Sequence, residues 1–246
     1  MQRNNMFQPD KRSAVMQTFN IEDYMGELIR RLQIKFGDRL IYVGLQGSFS
    51  RGEADENSDI DVMVTLDRLA AADLDSYREI IAGMPGFERS CGFISGREEL
   101  KNWPRHEICQ LLHETEDYFG ELRPLLPDFD LKDVNDHIGI VVGDLYHLLC
   151  HGRIHGKPEQ RAESLRGLYK AVFYILQNIF YLRTGKWIKT KSELLEQLRG
   201  LDREVMQTAS AMRSGKEIDQ EKAFLTLFDW ARGILEITGK NISEKP

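Results

Sequence analysis

The sequence predicts an α+β protein, in which a small sheet-containing domain over residues 1–130 is followed by a bundle of helices over residues 131–246. Two observations predict this division. In the first half, short apolar runs alternate with helical patterns, as in a small unit built from strands and helices. From about Leu131 onward, apolar residues recur at helical spacing in long stripes, which indicates packed helices.

The first half begins with a predicted helix. Asn20 is a suitable N-cap, apolar residues follow from Ile21 at helical spacing, and Gly37 is placed to end the helix. The further elements of this half are, in order, a buried strand over residues 40–45, a loop over 47–58, a strand over 60–64, a helix over 71–82 and a third strand over about 87–94.

The pattern is interrupted over residues 97–127 and becomes regular again in the second half. Four breakers, Pro104, Gly120, Pro124 and Pro127, interrupt residues 97–127, so only a strand or helix near residues 108–113 is placed there. The second half contains two long apolar stripes and two shorter ones, over residues 138–149, 165–182, 193–201 and 217–237. Such stripes are typical of the core of a helical bundle.

Composition excludes several classes of protein. The chain has 246 residues, of which 41% are hydrophobic and 29% charged, as in an ordinary globular protein. The net charge of −6 makes nucleic acid an improbable main partner, since such binders carry a basic footprint. A polar N-terminus and the absence of any apolar run near 20 residues predict a cytoplasmic protein without a membrane partner. The oligomeric state stays open.

The three cysteines, Cys91, Cys109 and Cys150, form no pairing or metal pattern. We therefore expect reduced and mostly buried thiols.

Two carboxylates mark the candidate site. Side chains alternate across a strand, so Asp59 and Asp61 are predicted to share one face while Ile60 packs into the core on the other. Two like charges at this separation need compensation, which Mg²⁺ supplies through carboxylate and phosphate oxygens. A solvated pair on an exposed strand is the alternative interpretation.

The preceding turn favours the metal interpretation. Gly47 lets the backbone approach a phosphate closely, and the Ser48 hydroxyl can bond its oxygens. Arg51 adds a permanent positive charge suited to phosphate.

The complete motif resembles that of a known superfamily. Gly-Ser, ten intervening residues and Asp-x-Asp, with Arg51-Gly52 inside the loop and Ser58 before the first Asp, resembles the DNA polymerase β-like nucleotidyltransferases. The resemblance is strongest to the bacterial branch with the minimal nucleotidyltransferases and the aminoglycoside and lincosamide enzymes. It implies a mixed sheet with flanking helices followed by a helical bundle.

The resemblance also implies roles for individual residues. Asp59 and Asp61 would hold Mg²⁺ and serve in catalysis. The triphosphate would contact Gly47, Ser48, Arg51 and Ser58.

The superfamily usually supplies a third carboxylate from a neighbouring strand. Glu88, at the start of the predicted third strand, is the candidate for this catalytic role. An exposed glutamate at a strand end is the alternative interpretation, and Glu98, Glu107 and Glu114 are further candidates.

A second resemblance lies in the helical half. Thr184-Gly185-Lys186, followed by Lys191, is similar to the turn that ends a long helix in the aminoglycoside adenylyltransferases. The resemblance implies that Lys191, or secondarily Lys186, reaches the nucleotide phosphates. A plain C-capping turn with solvated lysines is the alternative. Residues 103–120 are similar to the acceptor-side segment of those enzymes, although surface and packing roles are the simpler interpretation.

The function implied is Mg²⁺-dependent transfer of a nucleoside monophosphate, with AMP expected, from a nucleoside triphosphate such as ATP. The expected acceptor is a hydroxyl of a small molecule, for example an antibiotic. Two alternatives stay open. The acceptor could be a protein or RNA partner, as in toxin–antitoxin nucleotidyltransferases, or the chain could be a non-catalytic relative that binds nucleotides.

Overall fold

The first half of the chain forms a four-stranded sheet with helices on both faces. The computed structural model describes residues 19–238, and the polar N-terminus noted in the sequence lies outside them. The elements of this half are α1 (Ile21–Phe36), β1 (Leu40–Leu45), α2 (Gly47–Ser50), β2 (Ile60–Leu66), α3 (Ala71–Ala82), β3 (Ser90–Gly96), α4 (Arg97–Lys101), α5 (Arg105–Glu114) and β4 (Glu116–Phe119).

The sheet is mixed, as the resemblance implies. Its strand order is β3-β2-β1-β4, with β1 antiparallel to both neighbours and β2 parallel to β3. Alternation along β2 separates two cores: Ile60, Val62 and Val64 pack under α1 and α3. Met63 packs on the opposite face against Leu100 and Ile108, next to α4 and α5. Asp61 points to that second face, because it is two residues from Met63.

The second half forms a helical bundle with its own apolar core. Its helices are α6 (Leu131–His155), α7 (Arg161–Thr184), α8 (Lys191–Gln197), α9 (Gly200–Arg213) and α10 (Gln220–Thr238). Helix α5 contacts α6 and α7, so the bundle lies against the face of the sheet that carries Asp61. The change from sheet to helices falls at Leu131, and the independence of 1–130 and 131–246 as domains stays a prediction.

Several predicted elements match the structure closely. Asn20 caps α1 by accepting from the backbone N–H groups of Glu22 and Asp23, and Gly37 is the C-cap. Helix α3 covers the predicted residues 71–82.

Three predictions need correction. The predicted loop over residues 47–58 begins with a one-turn helix. Residues 87–89 form a 3₁₀ turn, so the third strand starts at Ser90. Helix α9 was predicted only at its first residues, because its apolar side chains are sparse and only Val205, Met206 and Met212 are buried.

None of the helices within residues 19–238 combines the length and apolarity that crossing a bilayer requires.

Candidate active site

The paired carboxylates lie where β2 begins. Ile60 and Val62 are fully buried on the α1 face, and Asp61 between them points to the opposite face while Asp59 precedes the strand. Burial, and further the nearby Asp59 charge, raise the pKa of Asp61. The two carboxylates therefore repel each other, and a cation placed between them would relieve that repulsion.

Gly47 packs directly against Asp61. Its φ of +69° lies in the left-handed region, and a Cβ at this position would be 2.0 Å from Asp61 Oδ2. Only glycine fits such a place. Gln46 reinforces the contact, since its backbone N–H donates to the Asp61 carbonyl at 2.8 Å. The turn containing Gly47 and Ser48 is thereby fixed beside the carboxylate pair.

Ser58 fixes the other end of the loop. Its hydroxyl accepts from the Asp55 backbone N–H at 2.9 Å and donates to Asp55 Oδ1 at 3.2 Å. The side chain is buried. Its hydrogen bonds in this structure hold the loop closed ahead of Asp59.

Arg51 is buried and already paired. Only 3% of its side chain is exposed, and Nη1 lies 2.6 Å from Glu114 Oε2. The guanidinium also lies over the rings of Phe173 and Tyr174 on α7. The positive charge of Arg51 is already paired with Glu114, so the predicted contact with phosphate would require that pair to break.

Glu114 joins the two halves of the chain. It stands at the end of α5 and is buried. Besides the Arg51 guanidinium, it accepts hydrogen bonds from Gln177 Nε2 at 2.7 Å and Trp187 Nε1 at 3.1 Å. We call Arg51, Glu114, Gln177 and Trp187 the Glu114 cluster. Three donors from separate elements saturate this carboxylate, which makes it a tie between sheet and bundle and leaves it unsuited to proton transfer.

Glu88 stands apart from the strand on which it was predicted. It is exposed in the 3₁₀ turn before β3. The parallel register instead sets Cys91 opposite Asp61, and burial, followed by the nearby Asp61 and Asp59 charges, raises the pKa of the Cys91 thiol. Cys91 is also exposed, which corrects the expectation of a buried thiol. The position on β3 nearest the carboxylate pair therefore holds a thiol.

A cavity of about 350 Å³ opens between the sheet and the bundle beside Asp61. We call it the acidic cavity. Its described lining includes the carboxylates of Asp61, Glu107 and Glu114 and no lysine or arginine. Trp103 stacks on Phe93 with ring centroids 5.6 Å apart, and its Nε1 donates to Glu107 at 2.8 Å. The cavity thus combines an aromatic wall with negative charge.

His137 lines the same wall and takes part in a hydrogen-bond network behind it. Asn178 Nδ2 donates to the Tyr174 carbonyl and to Gln110 Oε1. Gln110 Oε1 is thereby an acceptor, so His137 Nε2, 3.2 Å away, carries the proton of a neutral ring. Burial and then His106 lower the pKa of His137. Its Nδ1 has no partner within residues 19–238.

A second cavity, of about 500 Å³, borders the loop from the other direction. We call it the paired-charge cavity. The loop contributes Glu53 and Asp55, and the bundle contributes Lys191 and Arg213. Lys191 Nζ lies 2.7 Å from Glu53 Oε2, and Arg213 Nη2 lies 3.4 Å from Asp55 Oδ2. Lys186 is exposed beyond the Gly185 cap and makes no described side-chain bond.

The sequence did not single out Glu53, Asp55 or Arg213. Arg213 is the last residue of α9, the helix that was largely missed, so no local signal set it apart. Glu53 and Asp55 lie inside the motif loop, where acidic residues are common on solvent-facing turns.

The residues present fit a magnesium ion in part. Asp59 and Asp61 offer hard oxygen ligands beside a turn that a Cβ would block. Within the described chain, no group of three or more His, Cys, Asp or Glu side chains gathers in a metal-binding arrangement. The protein would therefore supply two carboxylates, and phosphate and water oxygens would complete the coordination, as is usual for magnesium.

A family model and two solved structures relate the chain to known proteins. Residues 25–118 match the family model described as a nucleotidyltransferase domain. No curated protein matches the chain.

Two solved structures each align with 87% of this chain. Spectinomycin adenyltransferase AAD(9) from Enterococcus faecialis, solved with ATP and spectinomycin, is 17% identical, with 87% of this chain and 99% of that chain covered and a TM-score of 0.56. A nucleotidyltransferase-like protein from Exiguobacterium sibiricum 255-15 is 13% identical, with coverage of 87% and 75% and a TM-score of 0.35. The first of these likenesses shows a shared fold, and the second is too low to support an argument.

Proposed function

We propose that this chain, whose residues 25–118 match the nucleotidyltransferase domain model, transfers AMP from ATP to a hydroxyl of a small molecule. The observation that carries this proposal is the position of Asp61. Its carboxylate touches Gly47 and lines the acidic cavity. One side chain thus borders both the phosphate-binding turn and a space for an acceptor.

The charges of the two cavities favour different ligands. A triphosphate requires cations, and Lys191 and Arg213 line the paired-charge cavity. The acidic cavity offers carboxylates and the neutral His137 ring. We therefore assign the nucleotide to the paired-charge cavity and to the Gly47-Ser48 turn, where Gly47 also borders the acidic cavity, and we assign the acceptor to the remainder of the acidic cavity.

The acceptor class follows from the same chemistry. The acidic cavity favours a molecule that is cationic or rich in hydrogen-bond donors, with an apolar face to lie on Trp103. A phosphorylated molecule or RNA would be repelled. AAD(9), which shares the fold, was solved with ATP and spectinomycin, and a hydroxylated antibiotic is the first acceptor to test.

The reaction balances as a substitution at phosphorus. The acceptor hydroxyl oxygen forms a bond to the α-phosphorus, the bond from that phosphorus to the bridging oxygen breaks, and pyrophosphate leaves. Mg²⁺, held by Asp59 and Asp61, would neutralise the charge that develops on the phosphate oxygens. The hydroxyl proton needs a base within reach.

We assign that base to Glu107. Glu88 is exposed in the turn before β3, and Glu98 is exposed and paired with Lys101 on α4. Glu114 already accepts from three donors. Glu107 is the remaining candidate carboxylate, and it lines the acidic cavity with Asp61.

A screen of acceptors tests the proposal. The purified chain is incubated with Mg²⁺, each of the four nucleoside triphosphates and a panel of hydroxylated acceptors that includes spectinomycin, and pyrophosphate release is measured. We expect acceptor-dependent release that Asp59→Asn and Asp61→Asn each reduce by about 10³-fold. Asp75→Asn on the exposed surface of α3 is the matched control and should retain full activity.

The alternatives give different results in the same assay. A labelled protein or RNA in lysate with labelled ATP, without release on any small acceptor, would replace the proposed acceptor class. Release that is unchanged in Asp59→Asn and Asp61→Asn would overturn the assignment of the site. Binding of ATP without any transfer would indicate a non-catalytic relative.

A further inference from the structure

Lys191 is held by one carboxylate through two separate bonds. Glu53 Oε1 accepts from the Lys191 backbone N–H at 2.7 Å, and Glu53 Oε2 accepts from Lys191 Nζ at 2.7 Å. Arg51 Nε donates to the same Glu53 oxygen at 3.2 Å. About one-fifth of each paired side chain is exposed. A single carboxylate therefore fixes both the backbone and the charge of this lysine.

Apolar side chains surround the Lys191 ammonium beside the Glu53 carboxylate. Its Nζ lies 4.7 Å above the Phe173 ring, and Leu195 contributes to the same cavity wall. Burial alone would raise the pKa of Glu53, but the bonds from Lys191 hold that pKa below its ordinary value. Glu53 is accordingly ionised at neutral pH, whereas burial lowers the pKa of Lys191 and its bond to Glu53 partly offsets that effect.

A second pair repeats the arrangement with the same polarity. Asp55, two residues along the loop, faces Arg213 at the end of α9. In both pairs the loop supplies the carboxylate and the bundle supplies the cation. Ser58 and the Asn57 backbone N–H hold Asp55 in place. The two cations of the paired-charge cavity are thus balanced by two carboxylates before any ligand binds.

A magnesium triphosphate changes that balance. It brings a net charge of about −2 into a cavity whose own charges cancel. The phosphate oxygens and the Glu53 carboxylate then compete for the same ammonium, since both are anionic acceptors for Lys191. The more weakly Glu53 binds Lys191, the more tightly the triphosphate should bind.

We propose that Glu53 is the counterion of Lys191 in the nucleotide-free enzyme, and that a bound triphosphate competes with Glu53 for that ammonium. The inference rests on the proposed function, because it takes the triphosphate as the ligand of this cavity. Glu53 is a positioning residue: its bond to the Lys191 backbone orients the lysine, while its charge sets the affinity for nucleotide.

The test is a binding experiment on the full chain with two probes, magnesium tripolyphosphate and MgATP, by titration calorimetry. Glu53→Gln keeps the size and hydrogen-bonding oxygen of the side chain and removes its charge. We expect the Kd for both probes to fall about 5-fold. Glu56→Gln removes a charge from an exposed position of the same loop, and its Kd should change less than about 2-fold.

Lys191 variants separate competition for the Lys191 ammonium from a general effect of removing one negative charge. Lys191→Met alone should weaken binding about 10-fold, and in that background Glu53→Gln should bring no further gain. In steady-state assays, Glu53→Gln should lower the KM for nucleotide and leave the KM for acceptor unchanged. Damage to the fold would lower the melting temperature and weaken binding, which is the opposite result.

The outcomes separate this inference from the proposed function. If the wild-type chain binds neither probe, the proposed function fails and the inference falls with it. If the wild type binds both probes but Glu53→Gln binds them equally or more weakly, only the inference is overturned. A gain that persists in Lys191→Met also overturns it, and an unfolded Glu53→Gln leaves the Lys191→Met loss to decide.

Discussion

The acidic cavity and the paired-charge cavity border the same motif loop but balance their charges differently. In the acidic cavity, Asp61 makes no described ion pair and Glu107 has only a contact of 3.8 Å with His106 Nε2, while Glu114 is paired with Arg51. In the paired-charge cavity, each carboxylate faces a cation from the bundle. Uncompensated negative charge attracts a cationic ligand, whereas exchangeable ion pairs accept an anionic one. The bundle supplies the cations of the paired-charge cavity, whereas the described lining of the acidic cavity contains no lysine or arginine.

The largest expected effect comes from removing the Glu114 carboxylate, which joins the sheet to the bundle. Glu114→Ala should destabilise the chain by about 3 kcal/mol, because it leaves the buried Arg51 guanidinium without its main partner. Urea unfolding measures the change. Glu98→Ala is the matched control, since its pair with Lys101 is exposed, and it should cost less than about 0.5 kcal/mol. Equal effects would show that the Glu114 cluster does not join the two halves.

The next effect concerns the acidic cavity alone. Glu107→Gln should lower kcat about 100-fold, because the amide cannot take the acceptor proton. The KM for nucleotide should stay unchanged, as Glu107 does not line the paired-charge cavity. Steady-state kinetics with the acceptor found in the screen measure both constants. A kcat within 3-fold of wild type would remove Glu107 from the chemistry.

A crossed pair of substitutions compares the cavities directly. Trp103→Ala should raise the KM for acceptor about 10-fold by removing the aromatic wall. Arg213→Gln should raise the KM for nucleotide by about the same factor, since it removes a cation from the other cavity. Each variant is the control for the other. If each substitution instead changes the KM expected for the other, the two ligands have been assigned to the wrong cavities.

The smallest expected effect is on the Mg²⁺ requirement of the enzyme. Cys91→Asp adds a third carboxylate opposite Asp61 in the register. The Mg²⁺ concentration for half-maximal activity should fall about 5-fold. Cys91→Ser, which adds no charge, is the control. No difference between the two variants would mean that residue 91 does not contribute to metal binding.

Much of the fold could be predicted because its signals are local. Asn20, Gly37 and the apolar periodicity defined α1, and the apolar run of residues 40–45 defined β1. The mixed sheet was correctly implied by resemblance. The full extent of α9 was not predicted, although its buried residues Val205 and Met212 lie at helical spacing.

By itself, the sequence determined the motif side of the site. Alternation along β2 indicated which face carries Asp61, and Gly47 with Ser48 indicated a turn suited to phosphate. The left-handed φ of Gly47 and its packing against Asp61 appear only in the folded chain. Only the tertiary structure decided that Arg51 pairs with Glu114, that Cys91 opposes Asp61 and that Glu53 holds Lys191. The physical reason is sequence separation. Periodicity and turn chemistry act over a few neighbouring residues, whereas these partners are 30 to 138 residues apart and meet only when sheet and bundle pack together.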